Sequence, residues 1–270
     1  MISVITGASS GIGAAACVEL ARRGHDVVLV GRDLGKLRGV ANQVAGVADR
    51  RPDVLTCDFR SFGQVRELAA VLLDRYERID VLANNAGVMT GRRQLTPDGH
   101  ELIIQVNHLS PFLLTYLLLD RLATSGARIV TTSSQAAKTG RVDPGDLDRS
   151  RRWWNGWLQY SDAKQAGALM TIELARLGKN ITPTCFHPGL IKTDFAAGML
   201  FMRFITMVPG ISRSPEEGAS TLVHLAADPG ATGHPGRYYA KGRPARVPKG
   251  MSDPGLAHRL WTASLELVTA

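Results

Sequence analysis

The sequence predicts a doubly wound α/β domain: a parallel sheet of about seven strands with helices on both faces. Two observations carry that expectation. Short apolar runs of strand length alternate with amphipathic helical stretches along most of the 270 residues. The runs are continuously apolar rather than alternating, so both faces of each strand are to be covered, which is the mark of a parallel sheet. Right-handed crossovers then wind helices onto the two faces. No Pro/Gly/Ser-rich linker and no internal repeat divides the chain, so residues 1–270 read as one domain.

The elements follow in order. A strand is expected over 2–6 and a helix over 14–23, then a strand over 26–30 and a helix over 34–47. Strands over 54–57, 79–83, 128–132 and 181–186 continue the series, separated by helices over 62–76, 99–122 and 158–177. Regularity breaks down over 139–157 and again over 189–215.

Composition excludes several classes. Hydrophobic residues make up 44% and charged residues 21%, which rules out wholesale disorder, collagen and coiled coil. Thirty-two Lys+Arg against 24 Asp+Glu leave a formal charge of +8, read as a solvated basic surface rather than a nucleic-acid footprint. The opening MISVITGASS has no basic n-region or apolar h-region. The apolar stretch 102–119 is interrupted by Gln105, Asn107, His108, Ser110 and Pro111, a poor membrane span. Cys17, Cys57 and Cys185 are widely spaced, and no Cys/His set has metal-ligand spacing. A cytoplasmic protein without structural metal, membrane insertion or nucleic-acid partner is expected.

The turn after the first strand reads T-G-A-S-S-G-I-G. Gly7, Gly11 and Gly13, with Ser9, Ser10 and Ile12 between them, let backbone N–H groups approach a pyrophosphate at a helix N-terminus, as in a Rossmann-type fold. At the end of the second strand, where an acidic residue would read the ribose 2′-hydroxyl of NAD, stand Gly31 and Arg32. A guanidinium suits a 2′-phosphate, so NADP(H) is the expected cofactor; the plainer alternative is a solvated loop arginine.

Tyr160 and Lys164 stand four apart in Y-S-D-A-K, on one helix face. A lysine ammonium beside a phenol favours the phenolate. Bringing a tyrosine from pKa ~10 toward neutrality takes roughly 3 units, or about 4 kcal/mol. Other chemistry-bearing residues collect where strands end, the edge at which open sheets bind ligands. They are Asn84-Asn85-Ala86-Gly87, Ser133-Ser134, and His187-Pro188-Gly189 with Ile191 and Thr193; Asn107 lies in V-N-H-L-S-P-F.

This set, in this order, resembles the short-chain dehydrogenase/reductase family over nearly the whole chain, from Ile2 to about Tyr239. The resemblance implies that Tyr160 is the catalytic acid/base. It implies that Lys164 holds the nicotinamide ribose and lowers the tyrosine pKa, and that Ser134 rather than Ser133 binds the substrate oxygen. Asn107 would steady a water-linked proton relay. Asp58, with Phe59 beside it, would contact the adenine. Asn84, Asn85, Ala86 and Gly87 would line the cofactor trough, and Pro188, Gly189, Ile191 and Thr193 would flank the nicotinamide amide. His187 is read as shaping its turn. The implied reaction is reduction of a ketone or aldehyde by NADPH, with alcohol oxidation as its reverse. A catalytically silent dinucleotide sensor on the same fold is the competing reading.

The connection from Ser134 to Tyr160 is longer than in minimal members and resembles that of retinol-dehydrogenase-like and carbonyl-reducing members. It holds Trp153, Trp154 and Trp157, which either wall the substrate pocket or pack the insertion onto the fold. The stretch F-A-A-G-M-L-F-M-R-F-I-T-M has the composition of a substrate cap, of an ordinary amphipathic helix or of a membrane-surface contact. Together the two segments point to a bulky hydrophobic carbonyl substrate, a polyketide-type ketone among the fitting classes. Arg237, Lys241, Arg243, Arg246 and Lys249 read as a solvated, partly irregular segment. The resemblance implies a homodimer or homotetramer through the helices carrying Asn107 and Tyr160, unless the long insertion blocks that face.

Overall fold

Strand β1 (Ile2–Thr6) pairs in parallel with two strands at once, and the sheet is wound outward from it. In the computed structural model, which describes residues 1–189, 214–231 and 234–269, these strands are β2 (Asp26–Gly31) and β4 (Val81–Asn84). Beyond β2 lies β3 (Asp53–Thr56); beyond β4 come β5 (Arg128–Thr132), β6 (Thr182–His187), β7 (Tyr238–Ala240) and β8 (Arg243–Pro244). The order is β3-β2-β1-β4-β5-β6-β7-β8. It reverses between β1 and β4, which opens a crevice at the carboxyl ends of those strands.

The described sheet has eight strands. The eighth is the short antiparallel β8, which turns back on β7 through Lys241 and Gly242, both at positive φ (53° and 71°). The basic stretch 237–249 is therefore partly a tight hairpin rather than irregular, although its Arg and Lys side chains are exposed as expected. Pro244 is tolerated there because β8 is the outermost strand.

The two faces carry separate halves of the core. Val4 packs toward α3 (Phe62–Arg75), α4 (Leu102–Ile104), α5 (Ser110–Ser125), α6 (Gly156–Arg176) and α8 (Pro254–Thr269). Its neighbour Ile5 packs toward α1 (Gly11–Arg22), α2 (Leu34–Ala45) and α7 (Pro215–Ala227). Successive residues of one strand thus serve opposite faces, as the continuous apolar runs require. Asp33, Ser61 and Asn155 cap α2, α3 and α6, each accepting from a first-turn backbone N–H. A reciprocal Ser214/Glu217 capping box starts α7.

A π-helical turn, Gln105–Leu109, joins α4 to α5 without a break. The joined helix Leu102–Ser125 is long and apolar enough to cross a membrane by length and composition, yet 83% of its most apolar window is buried inside the fold. The helix α8 lies across α6, α5 and the π turn. His108 Nε2 is 2.8 Å from Ser264 Oγ, and Trp261 meets Phe112 edge-on at 4.7 Å.

Candidate active site

The crevice is floored by a hydroxyl hub at the end of β1. Thr6 Oγ1 donates to Ala83 O at 3.0 Å and accepts from the backbone N–H groups of Asn85 (2.9 Å) and Ala86 (3.0 Å). Asn85 Nδ2 donates to Thr6 O at 3.0 Å, and Asn85 Oδ1 accepts from Thr132 Oγ1 at 3.2 Å. The ends of β1, β4 and β5 are thereby tied into one rim. Above them, Gly7 turns the chain at φ +67°, and a Cβ on it would stand 2.9 Å from Ala86 Cα. A Cβ on Gly13 would meet Gly7 O at 2.2 Å, so only glycine lets α1 sit this close to the turn. Ser10 is the N-cap of α1 but makes no side-chain cap hydrogen bond. Gly11, Ile12 and Ser9 are half-buried at the same mouth.

Not every residue expected to face the crevice does so. Asn84 turns inward: Nδ2 donates to Thr115 Oγ1 at 2.9 Å, and Oδ1 is buried without a partner. Phe59 puts its ring into the core and its carbonyl accepts from Ser110 Oγ at 2.7 Å, so its side chain is no part of an adenine pocket. Asn85, Ala86 and Gly87 are half-open along the rim. Arg32 is exposed just past β2. Asp58 is paired with Arg60 (Nη2 to Oδ2, 2.6 Å), and that hydrogen bond together with the nearby guanidinium charges holds its carboxyl below the usual range against the opposing effect of burial.

The structure brings Ser134, Tyr160 and Lys164 together. Tyr160 and Lys164 occupy successive turns of α6, both buried. Ser134 faces Tyr160 closely enough to pull on the phenol, and it also caps the short 3₁₀ turn Gln135–Thr139 by accepting from Ala136 N. Its neighbour Ser133 is buried and donates to Lys164 O at 2.8 Å, which removes it from the crevice. Lys164 Nζ donates to Thr132 O at 3.0 Å and stands 5.6 Å from the Tyr160 ring centroid.

Burial dominates the electrostatics of the pair. Burial pushes the Tyr160 phenol up to about 12, with Ser134 pulling only part of the way back. Burial also brings the Lys164 ammonium down to about 8. Desolvation is thus the leading influence on both groups, and the Lys164 ammonium donates to the Thr132 carbonyl.

Asn107 lies in the π turn. Its side chain is fully engaged, accepting from Val88 N (3.1 Å) and donating to Val88 O and Ile103 O (2.8 Å each). The π turn is a feature no residue pattern announced; such turns favour functional sites. His187 accepts from Gly189 N at 3.1 Å and so shapes its turn; Pro188 and Gly189 are half-buried beside it. Ile191, Thr193 and the 195–207 stretch lie outside the described residues, as does most of the expected cap over 189–215. Two contributors went unread in the sequence: Thr6, visible only as the residue before the glycine turn, and Tyr238, whose hydroxyl donates to Ser134 O at 3.0 Å.

The three tryptophans divide. Trp154 packs half-buried on the core, its indole N–H turned toward Glu101 but outside close hydrogen-bond geometry. Trp153 is 75% exposed. Trp157 is 39% exposed, with its ring 6.5 Å from that of Tyr160.

Comparison with known proteins agrees with this geometry. The sequence profile of the family described as "short chain dehydrogenase" matches residues 1–200. A candidate daunorubicin C-13 ketoreductase, DnrU, of Streptomyces sp. (strain C5) is 44% identical over 265 residues, covering 98% of this chain and 91% of its own. Human retinol dehydrogenase 13 is 35% identical, covering 98% of this chain and 83% of its own. Among solved structures, a Mycobacterium paratuberculosis protein of unassigned function superposes with a TM-score of 0.80 at 32% identity, over 100% of this chain and 93% of that one. A Shigella flexneri short chain dehydrogenase solved with NADP gives 0.72 at 25% identity, over 90% and 97%. The chain is an oxidoreductase belonging to the short-chain dehydrogenase/reductase family, of the retinol-dehydrogenase-like type.

Proposed function

We propose that this oxidoreductase uses NADPH to reduce the ketone or aldehyde of a bulky hydrophobic molecule to an alcohol. The observation that carries the reading is the grouping of Ser134, Tyr160 and Lys164: the serine faces the buried tyrosine, and the Lys164 ammonium stands 5.6 Å from its ring centroid. The 44% identity with a protein described as a ketoreductase supports the carbonyl as the reacting group.

The residues fit a dinucleotide. The bare backbone around Gly7 and Gly13 and the first turn of α1, free of a side-chain cap, make a cradle for a pyrophosphate. Arg32, and not a carboxylate, stands where a 2′-phosphate would lie. Asn85 to Gly87 and Pro188 with Gly189 would hold the remainder. When bound, the reduced cofactor supplies the hydride.

The chain's own part is to hold an oxygen and deliver a proton. Ser134 and Tyr160 donate to the carbonyl oxygen as negative charge develops on it. Tyr160, which keeps its proton across the neutral range, hands it to that oxygen as general acid. Lys164 lies close enough to the ring to offset the charge left behind, and the chain near Asn107 would restore the proton through water. A raised phenol favours reduction over oxidation, which would need the phenolate at the start. All three cysteines are free and buried, as a reducing cytoplasm permits. The test is a ketone panel followed at the cofactor absorbance. Tyr160→Phe is expected to abolish turnover while sparing NADPH binding; near-normal activity in that variant, or cofactor binding without turnover of any ketone by the unmodified chain, overturns the reading.

A further inference from the structure

We propose that Asp162 is a positioning residue that sets the separation between Ser134 and Tyr160. The proposal rests on reading those two hydroxyls as joint holders of the substrate oxygen.

Asp162 lies on α6 between Tyr160 and Lys164, and its side chain is only 2% exposed. Oδ1 accepts from Arg141 N at 2.7 Å. Oδ2 accepts from Arg149 Nε at 2.9 Å and lies 2.8 Å from Arg149 Nη2, so two guanidinium nitrogens converge on one carboxylate oxygen, with Arg152 Nη2 at 3.7 Å from it. Arg149 is itself buried and sits at φ +47°, a left-handed conformation that a long side chain adopts only where its surroundings force it. Its Nη1 donates to Trp153 O at 3.1 Å. Arg152 closes the loop: it binds Asp146 Oδ2 at 3.0 Å and Asp146 O at 2.8 Å, and it donates to Arg141 O at 2.8 Å.

The connectivity makes this more than an anchor for an insertion. Ser134 opens the turn Gln135–Thr139, and Arg141 follows two residues after it. One link from the serine to the tyrosine thus runs through a short segment and this carboxylate. Two further side chains of α6 act beside it: Gln159 Nε2 donates to Leu147 O, and Gln165 Oε1 accepts from Val142 N, each at 2.8 Å. Gly140 lies so close to the helix that a Cβ on it would stand 2.6 Å from Ser161 O. One stripe of α6, Gln159, Asp162 and Gln165, grips the segment after Ser134, while the adjacent stripe presents Tyr160 and Lys164. A buried ion pair is a poor source of stability compared with an apolar replacement. A strained arginine kept on a buried aspartate is better accounted for by the geometry it imposes.

The test compares Asp162→Asn, Arg149→Met and the double variant with the unmodified chain. The readouts are kcat, KM, NADPH affinity, Tm and the ¹³Cζ resonance of Tyr160, assigned with Tyr160→Phe. Asp162→Asn is expected to lower kcat by about 10²-fold, the scale of a 1 Å misplacement, with KM and NADPH affinity little changed. The double variant, which removes the unpaired guanidinium, regains Tm but not kcat. Arg149→Lys keeps the charge and loses the fork; it gives an intermediate fall in kcat and stands in if Asp162→Asn does not fold. Recovery of kcat together with Tm in the double variant would mean a purely structural pair and overturns the proposal. The resonance separates this failure from failure of the functional reading. Even in a chain that turns over no ketone, Asp162→Asn must move the Tyr160 signal in the direction that Ser134→Ala moves it, and an unmoved signal overturns the proposal.

Discussion

Lys164 Nζ donates to the carbonyl oxygen of Thr132 at 3.0 Å while standing 5.6 Å from the centroid of the Tyr160 ring. The strand end of β5 therefore aims the ammonium, and burial brings it down to about 8 while pushing the phenol up to about 12. In the proposed reaction, reduction needs the protonated phenol and the charged amine together. Its kcat is expected to hold steady at neutral pH and to fall as pH rises through about 8, where Lys164 loses its charge. Alcohol oxidation, which needs the phenol to lose its proton first, should rise over the same range. Rate profiles in both directions check this; a reduction rate climbing through pH 8 contradicts it.

Arg32→Asp replaces an exposed cation just past β2 with a carboxylate. A charge-assisted hydrogen bond contributes about 1.5–3 kcal/mol, so the ratio of NADP(H) to NAD(H) affinity is expected to fall by about 10- to 100-fold. Dissociation constants for both cofactors, measured by quenching of protein fluorescence, decide it. An unchanged ratio would leave Arg32 a solvated loop residue.

Trp157 offers a partly exposed indole 6.5 Å from the Tyr160 ring. An aromatic face there is worth about 0.5–1.5 kcal/mol to a ring stacked on it. Trp157→Ala should raise KM several-fold for a fused-ring ketone and leave a small aliphatic ketone unaffected. Equal effects on both would assign the indole to packing alone.

Glu101 caps α4, accepting from Ile103 N (2.9 Å) and Ile104 N (3.1 Å), and is fully buried. Burial raises its carboxyl from 4.5 to about 7. The folded chain thus keeps a proton that the unfolded chain gives up, and this group's contribution to stability falls as pH rises from about 4.5 to 7. Glu101→Gln keeps a capping oxygen and removes the ionisation. Relative to the unmodified chain, it should gain about 3 kcal/mol between pH 4.5 and pH 8, read by denaturant unfolding at both. A constant difference across that range would contradict the prediction.

What the sequence made legible follows from what burial does to composition. Strands β1 and β5 have the bounds that their apolar runs imply, because both faces of each are covered and even their Ser3, Thr6, Thr131 and Thr132 are buried. Ser134, Tyr160 and Lys164 were readable because strand ends and helix spacing bring them to one edge. The acidity of Tyr160 was not, since spacing gives proximity and says nothing of desolvation or of where an ammonium points. Nor was the inward turn of Asn84, whose neighbour Asn85 has the same chemistry and the opposite orientation. Arg149 is buried on Asp162, a pairing that only the folded chain creates. The helix α7 carried a legible start in Ser214-Pro215-Glu216-Glu217 that the strand pattern overshadowed.

The helix α8, formed by residues 254–269, lies over α6 and the π turn. The glycine turn, the rim and the serine–tyrosine pair are all built from residues that precede that brace along the chain. The helix that carries Tyr160 and Lys164 is thus steadied by a segment outside the crevice, so a substitution confined to 254–269 reaches those two side chains only through the stiffness of α6.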